Sequence, residues 1–576
     1  MKSIKSWMKV LKTALIILAV VSIVSCKANI ETVEVIDYED SENVGYNDRA
    51  PIEKCLGYKN IPENQSFKSA VTSAKYIYYI DYEFDLGGQS VKIPEGSILS
   101  FGKDGSIKNG KIEFNNTYLD GNVSFSNVGF SGNLLNKYVT LSWFGPNKTA
   151  AEEKSNKRKN ADLISELFSV MGDTLIVDLF CPMSSYVYVE TNINMRAIDW
   201  DETKCTKDYN YTYEPQYGFY TVEDNSLFIL NNTDTKKSGS MNLFGIYLKG
   251  NPDKFKNATT LPSGVTWGVF LPWGGSLAAV YNCKFEGFTQ GVRALGGYLE
   301  KFQNTTFTNC KVGVYALYAS DFDVFGCKFT NCMPNLSVPD QMTIDETAVD
   351  SLRCAGTGFI SEGCGMLNFA NNLLENNFVN FMINEASIIV NITDCTFKNP
   401  GFCDIYVYND YQGYSTEGYL SLGLGDLQKF CIDNVVIHNN TFTRTAKAKG
   451  ESVVFLRNRD RALQSGKTVT TDKRVTNLVF SNNKVTDNRS GTSNKEAIFM
   501  ISNVNETKSQ IVCAGNNFTS SKAKYFASLV SNSSGQYAFK NSSNSMPSGV
   551  SEISKYNDDS SVIVFLPSDK ANPVKR

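Results

Sequence analysis

The sequence predicts an all-β fold, a parallel β-helix wound from coils of about 22 residues, and three observations point to it. First, a phrase of polar residues closed by a large apolar one recurs: Tyr281-Asn282-Cys283-Lys284-Phe285, Gln303-Asn304-Thr305-Thr306-Phe307, Phe325-Gly326-Cys327-Lys328-Phe329, and later His438-Asn439-Asn440-Thr441-Phe442. Second, the closing residues at 285, 307, 329, 374, 397, 442 and 485 lie 22, 22, 45, 23, 45 and 43 residues apart, one period or two. Third, the residues upstream of each phrase alternate. Positions −7 and −5 read Ala278/Val280, Phe322/Val324, Leu367/Phe369, Val390/Ile392, Val435/Ile437 and Leu478/Phe480. Period two means strands with one buried and one solvated face.

Coils of this kind stack at roughly 4.8 Å, so equivalent residues form ladders along the axis. The expected ladder is Asn282, Asn304, Asn371, Asn439 and Asn482, amides bonding from coil to coil at a tight bend. Counting back in twos also puts Glu300 inward, a charge for which the pattern gives no reason.

Taken in order, residues 1–25 carry Lys2, Lys5, Lys9 and Lys12, then an apolar run from Ala14 to Val24, the pattern of an export signal. Ile23-Val24-Ser25-Cys26 resembles a bacterial lipobox, which implies lipidation of Cys26 and anchoring to the outer membrane, at the cell surface or facing the periplasm. Residues 26–69 read as an acidic, polar tether and lead-in. Residues 70–140 are strand-rich, and 141–175 hold a short motif and a helix. In that helix Leu163, Ile164, Leu167, Phe168 and Met171 form one apolar stripe suited to capping the solenoid. Residues 176–545 form the β-helix, interrupted at 334–363 by a polar insertion containing Asp340, Asp345, Glu346 and Asp350. Residues 546–576 lose the pattern, and 561–566 reads as a covering strand. A net charge of −3 on 576 residues offers no basic footprint for nucleic acid.

The stretches Asp85–Gly96 and Ile107–Phe114 resemble the opening coils of exported bacterial proteins of the pectin-lyase-like superfamily, whose β-helices are right-handed. Leu141-Ser142-Trp143-Phe144-Gly145-Pro146 resembles that family's lead-in, usually Trp-Phe-Gly-Ala followed by an Asp/Gly-rich loop and a helix; here Asn147-Lys148-Thr149 replaces the acidic loop. The resemblance implies sugars bound along an outward strand face. It departs from the histidine motifs of pectate lyases and polygalacturonases, because His438 is the single histidine and sits in the corner register.

Fourteen cysteines in an exported chain invite disulfides. Cys283 and Cys327 share a repeat position two coils apart, roughly 9–10 Å, beyond bridging range. Cys310 and Cys332 lie on adjacent coils and could bridge, although buried free thiols stacked as small hydrophobes are the preferred reading.

The outward register gives Leu299/Lys301/Gln303, Asp321/Asp323/Phe325, Met366/Asn368/Ala370 and Ile389/Asn391/Thr393. Asp321 and Asp323 alternate on one strand, Cα atoms roughly 6.5–7 Å apart, near the carboxylate separation of inverting glycosidases. Lys301 stands one coil away. A second outward row pairs Arg293 with Tyr315, a cation and a phenol suited to a lyase acting on a uronate. Tyr406 and Tyr408, with Asn368 and Asn391, supply substrate-binding surfaces. Calcium is admissible, since Asp and Asn ladders carry oxygen ligands. Two functions follow for a polysaccharide partner: an enzyme, lyase or glycoside hydrolase, acting at Lys301, Asp321, Asp323, Arg293 and Tyr315, or a non-catalytic adhesin-like or tailspike-like surface protein, since the fold alone fixes no activity.

Overall fold

The computed structural model describes residues 55–542 apart from 231–238, 273, 320, 337–354, 385–388, 411–431, 449–451, 460, 463–467, 470–474, 477, 491–492, 503–510, 520–522 and 530–538. The lipobox, residues 26–54 of the tether and lead-in, the acidic residues of the insertion and the terminal strand at 561–566 lie outside the described residues.

Every coil runs through the same three strands. In one coil Tyr298–Gln303, Thr306–Thr308 and Val312–Leu317 follow one another, and each pairs in parallel with its counterparts one coil before and after. The result is a right-handed parallel β-helix with a 13-stranded sheet A, from Tyr138–Thr140 to Phe539–Ser542, and 11-stranded sheets B and C. Sheet B runs from Phe180–Met183 to Asn517–Phe518, and sheet C from Val187–Val189 to Ala523–Leu529. A separate seven-stranded sheet, Gly57–Asn60 to Phe125–Leu134, precedes them. The helix Asn160–Val170 buries Leu163, Ile164, Leu167 and Phe168. It closes the first coil and packs against Phe125–Leu134 on its other side, so it is a junction as well as a cap.

The core is a pile of ladders. Phe285, Phe307 and Phe329 stack ring on ring, centroids 4.8 and 5.1 Å apart, which is the coil spacing itself. Inward alternation holds at Phe322/Val324, Leu367/Phe369, Val390/Ile392, Val435/Ile437 and Leu478/Phe480.

It fails in two strands, and for one reason. Met241 pairs with Leu277 but Asn242 pairs with Ala279, so Ala278 is an extra residue in a β-bulge. The pairing of Ser276–Tyr281 with Tyr298–Gln303 skips the same position, which puts Glu300 in the next bulge. Leu277 and Val280 point inward, as do Leu299 and Phe302, while Glu300 is exposed. The bulge flips parity, so Ala278 and Glu300 are not core residues and Leu299 is. Asn242 Oδ1 accepts the Ala279 N–H at 2.9 Å and so holds the kink.

The corner between sheets A and B corrects the expected ladder by one residue. Gly245, Asn282, Asn304, Gly326, Asn371, Asp394, Asn439, Asn482 and Gly515 all have φ between 49 and 69°. Left-handed backbone is open to glycine and tolerated by Asn and Asp, and this explains which residues occupy the column. The residue after each points into the core, whereas Asn282 and Asn304 of the column itself are buried from the outside. Cys283, Thr305, Cys327, Asn372, Cys395, Asn440, Asn483 and Asn516 form the inner column. Here the amides do bond from coil to coil. Asn440 Oδ1 accepts from Cys395 N–H at 2.8 Å, while Asn440 Nδ2 donates to Ile392 O and to Asn483 Oδ1 at 2.9 and 3.1 Å. Asn372, Asn483 and Asn516 repeat the pattern. Cys310 and Cys332 do not bridge and are buried thiols, as are Cys283, Cys327 and Cys395 of the inner column.

Candidate functional site

Five of the predicted site residues share the outward face of sheet A. Lys301, Asp323, Asn368 and Asn391 occupy one register row on four successive coils. Asn391 Nδ2 donates to Asn368 Oδ1 at 3.1 Å, and Asn368 Nδ2 donates to Asp323 Oδ1 at 2.9 Å. Asp321, on the same strand edge as Asp323, accepts the Met366 N–H at 2.6 Å. The Lys301 ammonium stands 5.5 Å from the centre of the Tyr281 ring. Tyr281 in turn meets Phe244, and Phe244 meets Trp200. Burial pushes the Tyr281 hydroxyl up to about 12, so it serves as a hydrogen-bonding group and not as a base near neutral pH. His438 Nδ1 lies 2.9 Å from Ser481 Oγ on the neighbouring row.

The other predicted catalytic residues are elsewhere. Arg293 and Tyr315 are adjacent in register as expected, but on sheet C, and they are 7% and 1% exposed. The guanidinium lies 4.0 Å from the Tyr315 ring centre, and the Tyr315 hydroxyl donates to the buried Glu362 carboxylate. A second apolar cluster covers this face: Phe255, Met333, Leu336, Ala355, Phe378 and Phe402 pack over Tyr315, Ile360, Met382 and Phe455. Tyr406, 4% exposed, stacks on Phe455 at 5.3 Å within the same cover. Arg293, Tyr315 and Tyr406 therefore are not groove residues. They are the base of a buried second layer. Tyr408 aligns with Arg457 in the backbone register, and the side chains of both lie outside the described residues.

The structure adds a wall that the sequence did not announce. Between strands Asn192–Ala197 and Gly218–Thr221 the chain leaves the coil and runs along the corner between sheets A and B. Trp200 Nε1 and Cys205 Sγ both donate to Asn282 Oδ1 at 3.0 Å, and the Thr206 N–H donates to Asn304 Oδ1 at 2.8 Å. Tyr209 reaches Thr396, and Tyr211 returns to Thr306. This strap takes up the side chain of Asn282 and most of that of Asn304, whose Nδ2 keeps one long bond along the column, to the Gly326 carbonyl at 3.4 Å. It also explains Gly326, where a Cβ would lie 2.8 Å from Asp208 O. Tyrosine at every second position, 209, 211 and 213, is the signal that could have found it.

On sheet B beside the strap, Glu286 accepts from the Tyr247 hydroxyl and, at 3.0 Å, from Asn309 Nδ2; Lys284 lies 3.6 Å away. Burial alone would raise the Glu286 carboxyl, but the Tyr247 hydroxyl, Lys284 and Asn309 outweigh it and hold it below the usual range. A depressed folded pKa stabilises the fold above the unfolded value of about 4.3 and loses that contribution as pH falls through the lower, folded one. Urea midpoints of the wild type should therefore drop more steeply below about pH 4.3 than those of Glu286→Gln.

Among the described residues no three His, Cys, Asp or Glu side chains converge as a metal site. The sheet A face thus offers hydrogen-bond donors and acceptors at coil spacing, an aromatic floor and the Lys301 cation beside it.

A family model described as the right-handed β-helix region matches residues 244–418. Among solved structures the chain is similar to the Streptococcus pneumoniae surface protein and adhesin PfbA, at 9% identity over 82% of this chain and 90% of that one, with a TM-score of 0.20. A likeness of that size carries no argument about function. No curated protein matches the chain.

Proposed function

We propose that this β-helix is a surface protein that binds polysaccharide along the outward face of sheet A and does not cleave it. The observation that carries the reading is a contrast between two faces. The Asn391–Asn368–Asp323 ladder with Lys301 and Tyr281 is open on one, while Arg293 and Tyr315, the pair a lyase would need, lie sealed under apolar side chains on the other. Repeated amides and carboxylates at one-coil intervals suit a chain of sugar hydroxyls, each met by one or two hydrogen bonds worth about 0.5–1.5 kcal/mol. Export and lipidation at Cys26 complete the proposal and set the chain on the outer membrane.

Binding to a panel of neutral and uronate-containing glycans tests it. Asp323→Ala and Asn368→Ala should each weaken binding roughly three- to tenfold, with no new reducing ends or unsaturated products from the wild type. New reducing ends without unsaturated products, lost in Asp321→Ala and Asp323→Ala, would instead establish hydrolysis, the use that two alternating exposed carboxylates favour. Cys26→Ser should move the protein from the membrane to the soluble fraction.

A further inference from the structure

We infer that the outward face of sheet B beside the returning leg of the strap is a second binding site, which takes an anionic group carried on a sugar ring. Tyr247, Lys284, Thr306 and Lys328 form one outward row on successive coils. The row holds two lysines, each laid on a tyrosine: Lys284 Nζ is 4.7 Å from the Tyr247 ring centre and Lys328 Nζ 3.9 Å from that of Tyr211.

The two cations differ in their partners. Lys284 has Glu286, itself held by Tyr247 and Asn309. Lys328 has the ring and, at 3.5 Å, the Tyr211 carbonyl, and no carboxylate within ion-pair distance among the described residues. Lys328 is half-buried, and desolvation disfavours its charged form. Glu214 acts on it only from beyond ion-pair distance, so this half-buried cation, with no carboxylate in contact, is stabilised further by an anion brought from outside. Beside it the half-buried Thr330 Oγ1 donates to Thr308 Oγ1 at 2.9 Å, which leaves the Thr330 oxygen able to accept on the same face. Farther along the same sheet Phe180 packs against both Tyr220 and Tyr247 at 5.1 Å, a run of rings on which a pyranose can lie. Lys284 and Lys328 are two coils apart, roughly 9–10 Å, so a chain lying along the axis meets both. The proposal rests on the glycan reading only for the carrier; its demand for an anion rests on Lys328.

The test uses the full chain and four probes of one binding assay: a glucuronate-bearing oligosaccharide, a neutral oligosaccharide of equal length, free glucuronate and inorganic sulfate. Lys328→Met should weaken the acidic oligosaccharide at least tenfold without moving the melting transition. Thr330→Val, which leaves the charge in place, should weaken it severalfold, and about 0.5 M salt should weaken the wild type. The fold-loss caused by Lys328→Met should be the same in an Asn368→Ala background, since the two residues lie on different sheets. Equal binding by Lys328→Met and wild type would overturn the site, as would a neutral oligosaccharide bound as tightly with the same sensitivity to Lys328→Met. Inorganic sulfate bound as tightly as the oligosaccharide would overturn the sugar carrier, whereas free glucuronate should bind through Lys328 more weakly than the oligosaccharide. Acidic oligosaccharide bound through Lys328 with no effect of sheet A variants on any glycan would sink the sheet A reading and leave this one standing.

Discussion

Asp404→Ala should destabilise the protein by about 3–5 kcal/mol, because it strands a buried guanidinium. In sheet C the column of Gly291, Gly313 and Gly358 is glycine for steric reasons: a Cβ on Gly291 would come within 2.6 Å of the Gly313 carbonyl and 2.9 Å of Phe307. Farther along, the register puts Asn380 and then Asp404 in that column, and the core turns polar. Arg444 Nη2 donates to Asp404 Oδ2 at 2.8 Å and also to the Ser452 carbonyl. Asn380 Nδ2 donates to Asp404 Oδ1 at 2.9 Å, and Asn377 Nδ2 to Asn380 Oδ1 at 2.9 Å. Asp404 and Arg444 are 0% and 2% exposed, so neither charge can turn to water. Replacing both partners, as in Asp404→Leu/Arg444→Met, should recover most of the loss, since two matched charges cost much of what their attraction returns. Urea unfolding of the single and double variants reads the difference; equal loss in both would show packing, and not charge, at work.

The second large effect separates two neighbouring asparagines. Asn440→Ala should cost about 2–4 kcal/mol, because it leaves the buried Cys395 N–H and Ile392 carbonyl without the amide that joins them, at roughly 1–3 kcal/mol each less the lost desolvation of the side chain. Asn439→Ala changes an exposed residue that holds φ at 56° and donates to the Asp394 carboxylate one coil away, an exposed bond worth little. Its cost is that of left-handed backbone in alanine, about 1–2 kcal/mol. Denaturation midpoints of the two variants rank them, and an Asn439→Ala loss exceeding that of Asn440→Ala would reverse the assignment of the two columns.

These asparagines also show what could be seen in the string. The period was legible because stacking at a fixed spacing forces one residue type into each column, and Phe285, Phe307 and Phe329 obey it plainly. The choice between Asn439 and Asn440 was not, since both are asparagine and only backbone conformation tells a left-handed corner from a buried ladder. The bulges at Ala278 and Glu300 escaped for a related reason: alternation counted backward cannot register one extra residue, though a charged residue in the core row was its trace.

The functional face divides the same way. Lys301, Asp321, Asp323, Asn368 and Asn391 sit where alternation put them, because whether a side chain leaves the wall is a local property. Arg293, Tyr315 and Tyr406 also leave the wall, yet Phe255, Met333, Leu336 and Phe378 arrive from other coils to bury them. Outward and exposed are different statements, and only the first has a period.

Hydroxyl-radical footprinting of the whole protein, with and without a bound glycan, tests the contrast of the two faces directly. The account predicts that Tyr315 and Tyr406 stay unreactive in both states, while Tyr281 and Met366 label in the free protein and are protected by ligand. Ready labelling of Tyr315 and Tyr406 in the free protein, lost when glycan binds, would contradict it.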